Sequence, residues 1–304
     1  MHGASKGIEL CIRSVIPSLF PFFILTGILG STILGQKLPL FLPIRKWCRI
    51  PAGAESVLLL GLLTGYPTGA HLVGQADRNG NLTHNTAVRM VAFCNNAGPA
   101  FIFGILSGLF TFGKSVLFLW GIQIISALLV ARLLPSNDIG VCNLGYRPPV
   151  SITMAMERAI KTIASVCGWI IIFRIILNFC QTWFLWRFPV PLQILFSGLL
   201  ELSNGCIRLN EIQNEGLRFI LAGFLLSAGG VCITMQTLSL SQNVFTPVYF
   251  LGKGMQVTVT SLLSIIAQML LFSGANRLNP SVCAISVLCF SAILSIFLIL
   301  RKKF

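Results

Sequence analysis

Charge is what this sequence lacks most. Only 10% of its 304 residues are charged, and Asp and Glu together number eight. A soluble domain carries about 25% charged residues, because its surface faces water. With 55% apolar residues and a mean hydropathy of +0.85, the chain has too little charge to cover a soluble globule of this size. Most soluble enzymes and binding modules are therefore excluded, and the lipid bilayer is the expected surrounding.

Motifs for metal sites are also missing. The ten cysteines include no C-x-x-C pair and no histidine at metal-ligand spacing, and most lie in apolar runs. A cysteine in such a run behaves as a small buried hydrophobe. The sequence has no H-E-x-x-H motif either. We therefore expect no enzyme activity, no metal and no cofactor, apart from a coupling Na+ or H+ whose identity the sequence leaves open.

Positive charge is the exception to this scarcity. The formal net charge is +14 and the isoelectric point is about 9.8. In a polytopic membrane protein, an excess of Lys and Arg mainly marks the cytoplasmic side. With the N-terminus outside, the basic loop at 37–49 and the basic tail at 301–303 are cytoplasmic. Nucleic-acid binding is not expected.

Seven apolar runs are long enough to cross a bilayer, since about 20 helical residues span its hydrocarbon core. They cover residues 14–36, 88–110, 115–134, 163–186, 217–239, 246–272 and 281–300. Two further runs, 52–65 and 190–203, are too short and end in clusters of polar and small residues. Runs of that length are typical of re-entrant segments. Backbone that turns at membrane depth has to be buried in protein or line a wet cavity.

The order of these runs repeats along the chain. Gly61-Leu62-Leu63 and Gly198-Leu199-Leu200 occupy matching places in the two short runs. We predict an all-α polytopic membrane protein with two inverted repeats, each a span, a re-entrant hairpin, a broken span and a span, and then a C-terminal helix. Three crossings per repeat turn the second copy upside down, as in transporters with a midplane site. The predicted divisions are a first repeat at 1–135, a cytoplasmic linker at 136–155, a second repeat at 156–273, and the C-terminal helix with its basic tail at 274–304.

The third run is interrupted at its centre. Asn95 and Asn96 precede Gly98 and Pro99, and a proline removes a backbone donor and clashes with the preceding turn. The expected result is two half-helices, whose N-termini carry partial positive charge and favour anions. Ser227 begins the matching stretch of the second half. We predict that Asn95, Asn96 and Ser227 bind a solute; the structural alternative is a kink held by Asn side chains.

The two hairpin tips are the second group of candidates. Thr64, Tyr66 and Thr68 lie at the first tip, and Ser203 and Asn204 at the second. Tips that enter from opposite faces would meet near the centre and enclose a solute. Ordinary turns rich in Gly, Pro, Ser and Asn are the alternative.

Two ionisable residues are predicted to lie at membrane depth. Arg174 interrupts an apolar run, a position disfavoured by about 2.5–3.5 kcal/mol, and Glu201 follows the second short run. The functional interpretation makes Arg174 a counter-ion for an acidic solute and Glu201 a coupling or gating carboxylate. A buried ion pair that only fixes the fold is the alternative.

Three motifs resemble a known family. I-P-S-L-F-P-F-F-I-L at 16–25, G-Y-P-T-G-A at 65–70 and F-C-N-N-A-G-P-A-F-I-F-G at 93–104 are similar to those of the YlbJ-type sporulation integral membrane proteins. That family carries the Gate, or nucleoside-recognition, domain, which is itself similar to the core of concentrative nucleoside transporters. The resemblance covers nearly the whole chain.

The resemblance implies a role in endospore formation, in the cell membrane or a membrane that surrounds the forespore. It implies transport of a small acidic solute, dipicolinic acid, between the hairpin tips and broken helices. A membrane scaffold for spore assembly and a nucleoside transporter are the alternatives. The expected partners are the lipid bilayer and a small anionic solute, and a homo-oligomer is compatible with the architecture.

Overall fold

The computed structural model describes residues 2–33, 38–136, 150–241, 244, 246–274 and 277–300. Within these ranges the chain is helical and contains no strand. Seven helical stretches there are long and apolar enough to cross a membrane: Gly3–Leu29, His84–Leu106, Ser115–Leu133, Ile152–Trp183, Glu215–Leu240, Pro247–Leu271 and Pro280–Leu300. The predicted all-α polytopic architecture is confirmed. The chain is a multi-pass integral membrane protein.

The chain begins with a long, nearly continuous helix. Its parts are α1 (His2–Leu10), a single π-helical stretch (Cys11–Val15) and α2 (Ile16–Ile33). This helix starts well before the apolar run at 14–36. Its first part, α1, packs closely against the helix at 152–183, because Gly3 and Gly7 have no side chains. A Cβ on Gly7 would lie only 3.1 Å from the Cα of Ile171.

The first half continues through a helical hairpin and a broken helix. Its elements are a 3-10 turn (Pro39–Phe41), α3 (Leu42–Cys48), α4 (Glu55–Thr64), α5 (Thr68–Arg78), α6 (His84–Cys94), α7 (Pro99–Leu106) and α8 (Ser115–Leu133). α4 and α5 pack against each other as hairpin 1. Pro99 is the first residue of α7, where a missing N–H costs nothing. The backbone between α6 and α7, residues 95–98, is therefore unwound.

The second half has the same order of elements. It comprises α9 (Ile152–Trp183), a 3-10 turn (Leu185–Arg187), α10 (Val190–Leu200), α11 (Leu202–Arg208), a 3-10 turn (Leu209–Glu211), α12 (Glu215–Ala228), α13 (Gly230–Leu240) and α14 (Pro247–Leu271). α10 and α11 form hairpin 2. The side chain of Ser151 accepts a hydrogen bond from the Met154 N–H and so begins α9 inside the predicted linker at 136–155. Residues 137–149 of that linker and the tail at 301–304 lie outside the described residues.

The two hairpins enter from opposite ends of the helical bundle. Arg78, at the base of hairpin 1, donates a hydrogen bond to the Leu240 carbonyl at the end of α13, at 3.3 Å. Hairpin 2 runs directly into the start of α12, where Asn214 caps the helix by accepting from the Leu217 N–H. Because α12 and α13 together make one span, the bases of the hairpins lie at its two ends. The predicted domain boundaries themselves stay a prediction.

The last helix, α15 (Pro280–Leu300), packs along α14. Cys283 is its one buried residue, and most of its large apolar side chains are exposed. Such a helix is stable only where its apolar surface meets lipid or another protein. The core proper lies between the hairpins and the two broken helices.

Candidate functional site

The tip of hairpin 1 rests against the break between α6 and α7. The Tyr66 N–H donates to the Asn96 carbonyl at 2.7 Å. A Cβ on Gly98 would lie 2.7 Å from the Thr64 carbonyl oxygen, and Gly65 approaches Gly98 as closely. Only glycine permits this approach. Hairpin 1 therefore turns back at the middle of a neighbouring span.

Hairpin 2 meets the break between α12 and α13 in a similar way. Gly229 forms this break and Gly230 begins α13. Their φ values of 71° and 77° lie in the left-handed region that favours glycine. A Cβ on Gly230 would lie 2.7 Å from the Gly198 carbonyl oxygen in the last turns of α10. Both hairpins thus end at helix breaks.

A small cavity, here called the central cavity, lies between the two tips. Its volume is about 20 Å³, enough for about one water molecule. Four predicted site residues line it: Thr64 and Tyr66 from hairpin 1, and Glu201 and Ser203 from hairpin 2. Gln236 on α13 completes its polar surface. The predicted meeting of the tips is therefore present, with space for far less than an organic solute.

The carboxylate of Glu201 is fully enclosed and caps α11. Its oxygens accept hydrogen bonds from the Ser203 N–H at 3.0 Å and the Asn204 N–H at 2.8 Å. The side-chain amide of Asn204 donates a third bond at 2.7 Å. A negative charge at a helix N-terminus is favourable, so the fold itself holds this carboxylate in place.

Arg174 does not form an ion pair with Glu201, although their charges interact. Among the described residues no salt bridge includes Arg174. Its guanidinium instead donates a hydrogen bond to the side-chain oxygen of Asn204, and Asn204 in turn binds Glu201. The direct ion pair that was the structural alternative is absent among the described residues, because Asn204, the third residue of α11, lies between the two charges. Neither Arg174 nor Asn204 lines the central cavity or the larger cavity beside it, which is described below.

Three more predicted residues do not line the central cavity. The Asn95 amide donates to the Thr237 hydroxyl at 2.8 Å, and the Asn96 amide donates to the Phe93 carbonyl at 2.5 Å. Ser227 bonds to carbonyls of its own helix. All three side chains are buried, and each makes at least one hydrogen bond within the protein. None of the three is among the residues that line the central cavity, and their binding of a solute stays a prediction.

A larger cavity, here called the basic cavity, adjoins the central one. Its volume is about 380 Å³ and it is partly open to the outside. Arg158 and Lys161 on α9 line it, with His71 and Thr68 on α5, and no Asp or Glu is among its lining residues. Most of the remaining wall is apolar. Gln236 lines both cavities and so marks the boundary between them.

Several buried polar atoms at these cavities have no hydrogen-bond partner within the described ranges. They are the Tyr66 hydroxyl, the Thr68 hydroxyl, His71 Nδ1 and Gln236 Oε1. Buried polar groups are nearly always satisfied, so an unpaired one calls for a water or ligand. Their concentration here is what a polar binding site requires.

Comparison with known proteins supports the family resemblance. The chain is 25% identical over 281 residues to the sporulation integral membrane protein YlbJ of Bacillus subtilis (strain 168), with 77% of this chain and 68% of YlbJ covered. The resemblance to the YlbJ-type proteins is confirmed. No protein-family model and no solved structure matches the chain. The Gate domain and the likeness to nucleoside transporters stay predictions.

In this YlbJ-like chain, sequence reasoning missed two residues at the centre of the molecule. Gln236 lines both cavities, and nothing in its local sequence distinguishes it. Lys253 lies in α14 with only 8% of its surface exposed. The sequence did contain a signal for this residue. A lone lysine inside an apolar run is by default a functional candidate, and Lys253 lies inside the predicted run 246–272.

Two short patterns typical of soluble enzymes also occur, in the wrong structural context. G-L-F-T-F-G-K-S at 108–115 matches the P-loop pattern, which needs a preceding strand; here it joins α7 to α8. G-A-S-K-G at 3–7 matches the G-x-S-x-G pattern, which needs a strand-to-helix turn; here it lies within α1. Neither pattern carries its usual chemistry.

Proposed function

We propose that this chain is a transporter, not an enzyme, and that it moves a small organic anion across a membrane during sporulation. The observation that carries the proposal is the pair of adjoining cavities, one wide and basic, the other small and lined by the two hairpin tips, the first helix break and α13. Hairpins and broken helices that meet near the midplane are the usual setting of transporter sites. The printed name of the YlbJ relative supports the link to sporulation.

The charges of the basic cavity favour an anion. Arg158 and Lys161 lie one turn apart on α9 and have no acidic partner within ion-pair distance among the described residues. The half-helices α5, α7 and α13 begin beside the central cavity without a side-chain cap. Their N-termini add partial positive charge. An anion in the basic cavity would therefore meet favourable potential up to the tip of hairpin 1, whereas Glu201 places a negative charge at the tip of hairpin 2.

The shape of the basic cavity favours an anion with an apolar body. Ligand sites are mostly apolar with a few placed polar groups, and Phe23, Leu60, Leu72 and Val166 supply such a surface here. Dipicolinate, a flat aromatic dianion, has the matching chemistry, and we propose it as the solute. A nucleoside carries no charge and would leave Arg158 and Lys161 unpaired.

In the present conformation, the proposed solute path is open on one side and closed at the centre. A central cavity of about 20 Å³ cannot hold dipicolinate, so transport requires a hairpin or a half-helix to move. We propose that solute first occupies the basic cavity and that hairpin 1 then shifts, since its tip separates the two cavities through Pro67.

Uptake of labelled dipicolinate into proteoliposomes tests the proposal. We expect flux well above that of protein-free liposomes, and at least a tenfold lower kcat/KM, through a higher KM, in the double variant Arg158→Gln, Lys161→Gln. Lys114→Gln is the matched control, because Lys114 is an exposed cation at the start of α8, away from both cavities.

Three outcomes would contradict the proposal in different ways. Uptake of labelled uridine without uptake of dipicolinate would indicate a nucleoside transporter. Absence of flux for both solutes, from protein shown to be folded, would favour the scaffold alternative. Normal dipicolinate flux in the double variant would remove the basic cavity from the path.

A further inference from the structure

Lys253 lies at the centre of the molecule without an acidic partner among the residues that the structure describes. Within the described residues no salt bridge includes it, and only 8% of its surface is exposed. A buried ammonium group must be paired or solvated by the protein, because burial of a bare charge is very costly. Oxygen atoms of neutral groups perform this role here.

The surroundings of the ammonium group are those of a small cation site. Lys253 Nζ donates to the Asn95 carbonyl at 2.5 Å, to Gln256 Oε1 at 3.1 Å and to Asn96 Oδ1 at 3.4 Å. All three oxygens belong to neutral groups. The side-chain amide of Gln256 is held in turn by the hydrogen bond that it donates to Asn96 Oδ1, at 2.6 Å. Monovalent metal cations in discontinuous-helix transporters are bound by this kind of set, unwound carbonyls and half-helix C-termini.

The position in the fold agrees with this chemistry. Asn95 is the C-cap of α6, and the C-terminus of a helix carries partial negative charge. A cation there stabilises the unwound residues 95–98, against which the tip of hairpin 1 packs. Lys253 reaches this point from α14, a different element.

We propose that Lys253 is a tethered cation, which occupies a monovalent cation site at the break between α6 and α7. The break is thereby held without a bound metal ion. If the chain is the transporter proposed above, its flux does not need a Na+ gradient; this consequence rests on that proposal, whereas the cation site does not.

Removal of the tether should convert the position into a metal-cation site. Lys253→Ala leaves the three oxygens and a space between them, whereas Lys253→Met fills the space without charge. Purified variants in detergent are unfolded thermally in NaCl and in choline chloride at equal ionic strength, since choline is too large to enter. Lys114→Ala, at an exposed position, is the control for loss of a lysine.

We expect Lys253→Ala to have a lower Tm than the unaltered protein in choline chloride and to regain roughly 3 °C in NaCl at about tenfold above its Kd for Na+. Lys253→Met should be destabilised equally in both salts. The unaltered protein and Lys114→Ala should show no difference between the salts.

This experiment tests the cation site independently of the transport proposal, because it measures thermal unfolding and not flux. Isolation of folded Lys253→Ala only when NaCl is present would support the tethered cation. Equal Tm values for Lys253→Ala in both salts, or failure of that variant to fold in either, would overturn it. A Tm for Lys253→Met equal to that of the unaltered protein would also overturn it.

Discussion

The two halves share one layout and use opposite charges to complete it. In the first half, the carbonyl end of α6 receives the ammonium group of Lys253. In the second half, the amide end of α11 receives the carboxylate of Glu201. Each charged group lies at the helix end that carries the opposite partial charge. The difference shows that a repeated backbone plan does not impose a repeated electrostatic plan, since side chains from other elements can fill each helix end differently.

The helix breaks differ as well. The first break is four unwound residues, 95–98, ended by Pro99. The second needs only Gly229 and Gly230, both with positive φ. A gap of four residues exposes more carbonyls than a gap of one residue, Gly229, and the buried cation lies at the longer gap. The following predictions address this contrast.

The largest effect is expected from a methyl group at the contact between tip and break. In Gly98→Ala or Gly230→Ala the new Cβ would lie 2.7 Å from a backbone carbonyl oxygen, and backbone cannot yield as a flexible side chain does. We expect a loss of roughly 2–3 kcal/mol for Gly98→Ala and about 1 kcal/mol more for Gly230→Ala, because of its φ of 77°. Thermal unfolding of the purified protein measures both.

Gly121→Ala is the control for these glycines. Gly121 lies inside α8, and a Cβ there meets nothing within 4 Å. The alanine should raise stability by about 0.5–1 kcal/mol, because glycine is the poorer helix former. Equal stability of Gly98→Ala and Gly121→Ala would show that the close contact at the first break is not a constraint.

The second effect concerns the charge of the second half. Glu201→Ala removes the acceptor for three hydrogen bonds of buried donors and should cost about 2 kcal/mol. Glu201→Gln keeps one carbonyl acceptor and should lose about half as much. If both variants unfold at the same temperature as the unaltered protein, the carboxylate does not stabilise hairpin 2.

A smaller effect is expected at Arg174, which is only partly buried. Arg174→Leu removes one bond to Asn204 and should lower the turnover of dipicolinate severalfold, because hairpin 2 is less firmly placed. The KM should change less than twofold, since Arg174 lines neither cavity. A large rise in KM with unchanged stability would instead restore Arg174 as a counter-ion for the solute.

The sequence predicts the layout of this molecule better than the directions of its side chains. Run lengths are set by bilayer thickness and the breaks by Gly and Pro, so hairpins and broken spans can be located from sequence alone. Four tip residues, Thr64, Tyr66, Glu201 and Ser203, do face the central cavity. Asn95 does not, because its buried side chain donates a hydrogen bond to Thr237 on α13, which is far away in the sequence but adjacent in the fold. The sequence alone does not indicate that neighbour.

The length of α9 has a consequence for the approach of an anion. A helix of 32 residues is about 48 Å long, whereas the hydrocarbon core is about 30 Å thick. Trp183 ends the helix where aromatic residues mark the membrane interface, so the surplus length lies at the other end. That end carries Arg158 and Lys161.

The two cations therefore stand at the level of the lipid headgroups. A leaflet at about −30 mV depletes a dianion roughly tenfold at its surface. Two fixed positive charges at the mouth of the basic cavity offset that local depletion. On this account, the composition of the bilayer sets how much the basic pair matters, and a neutral membrane would make it nearly dispensable.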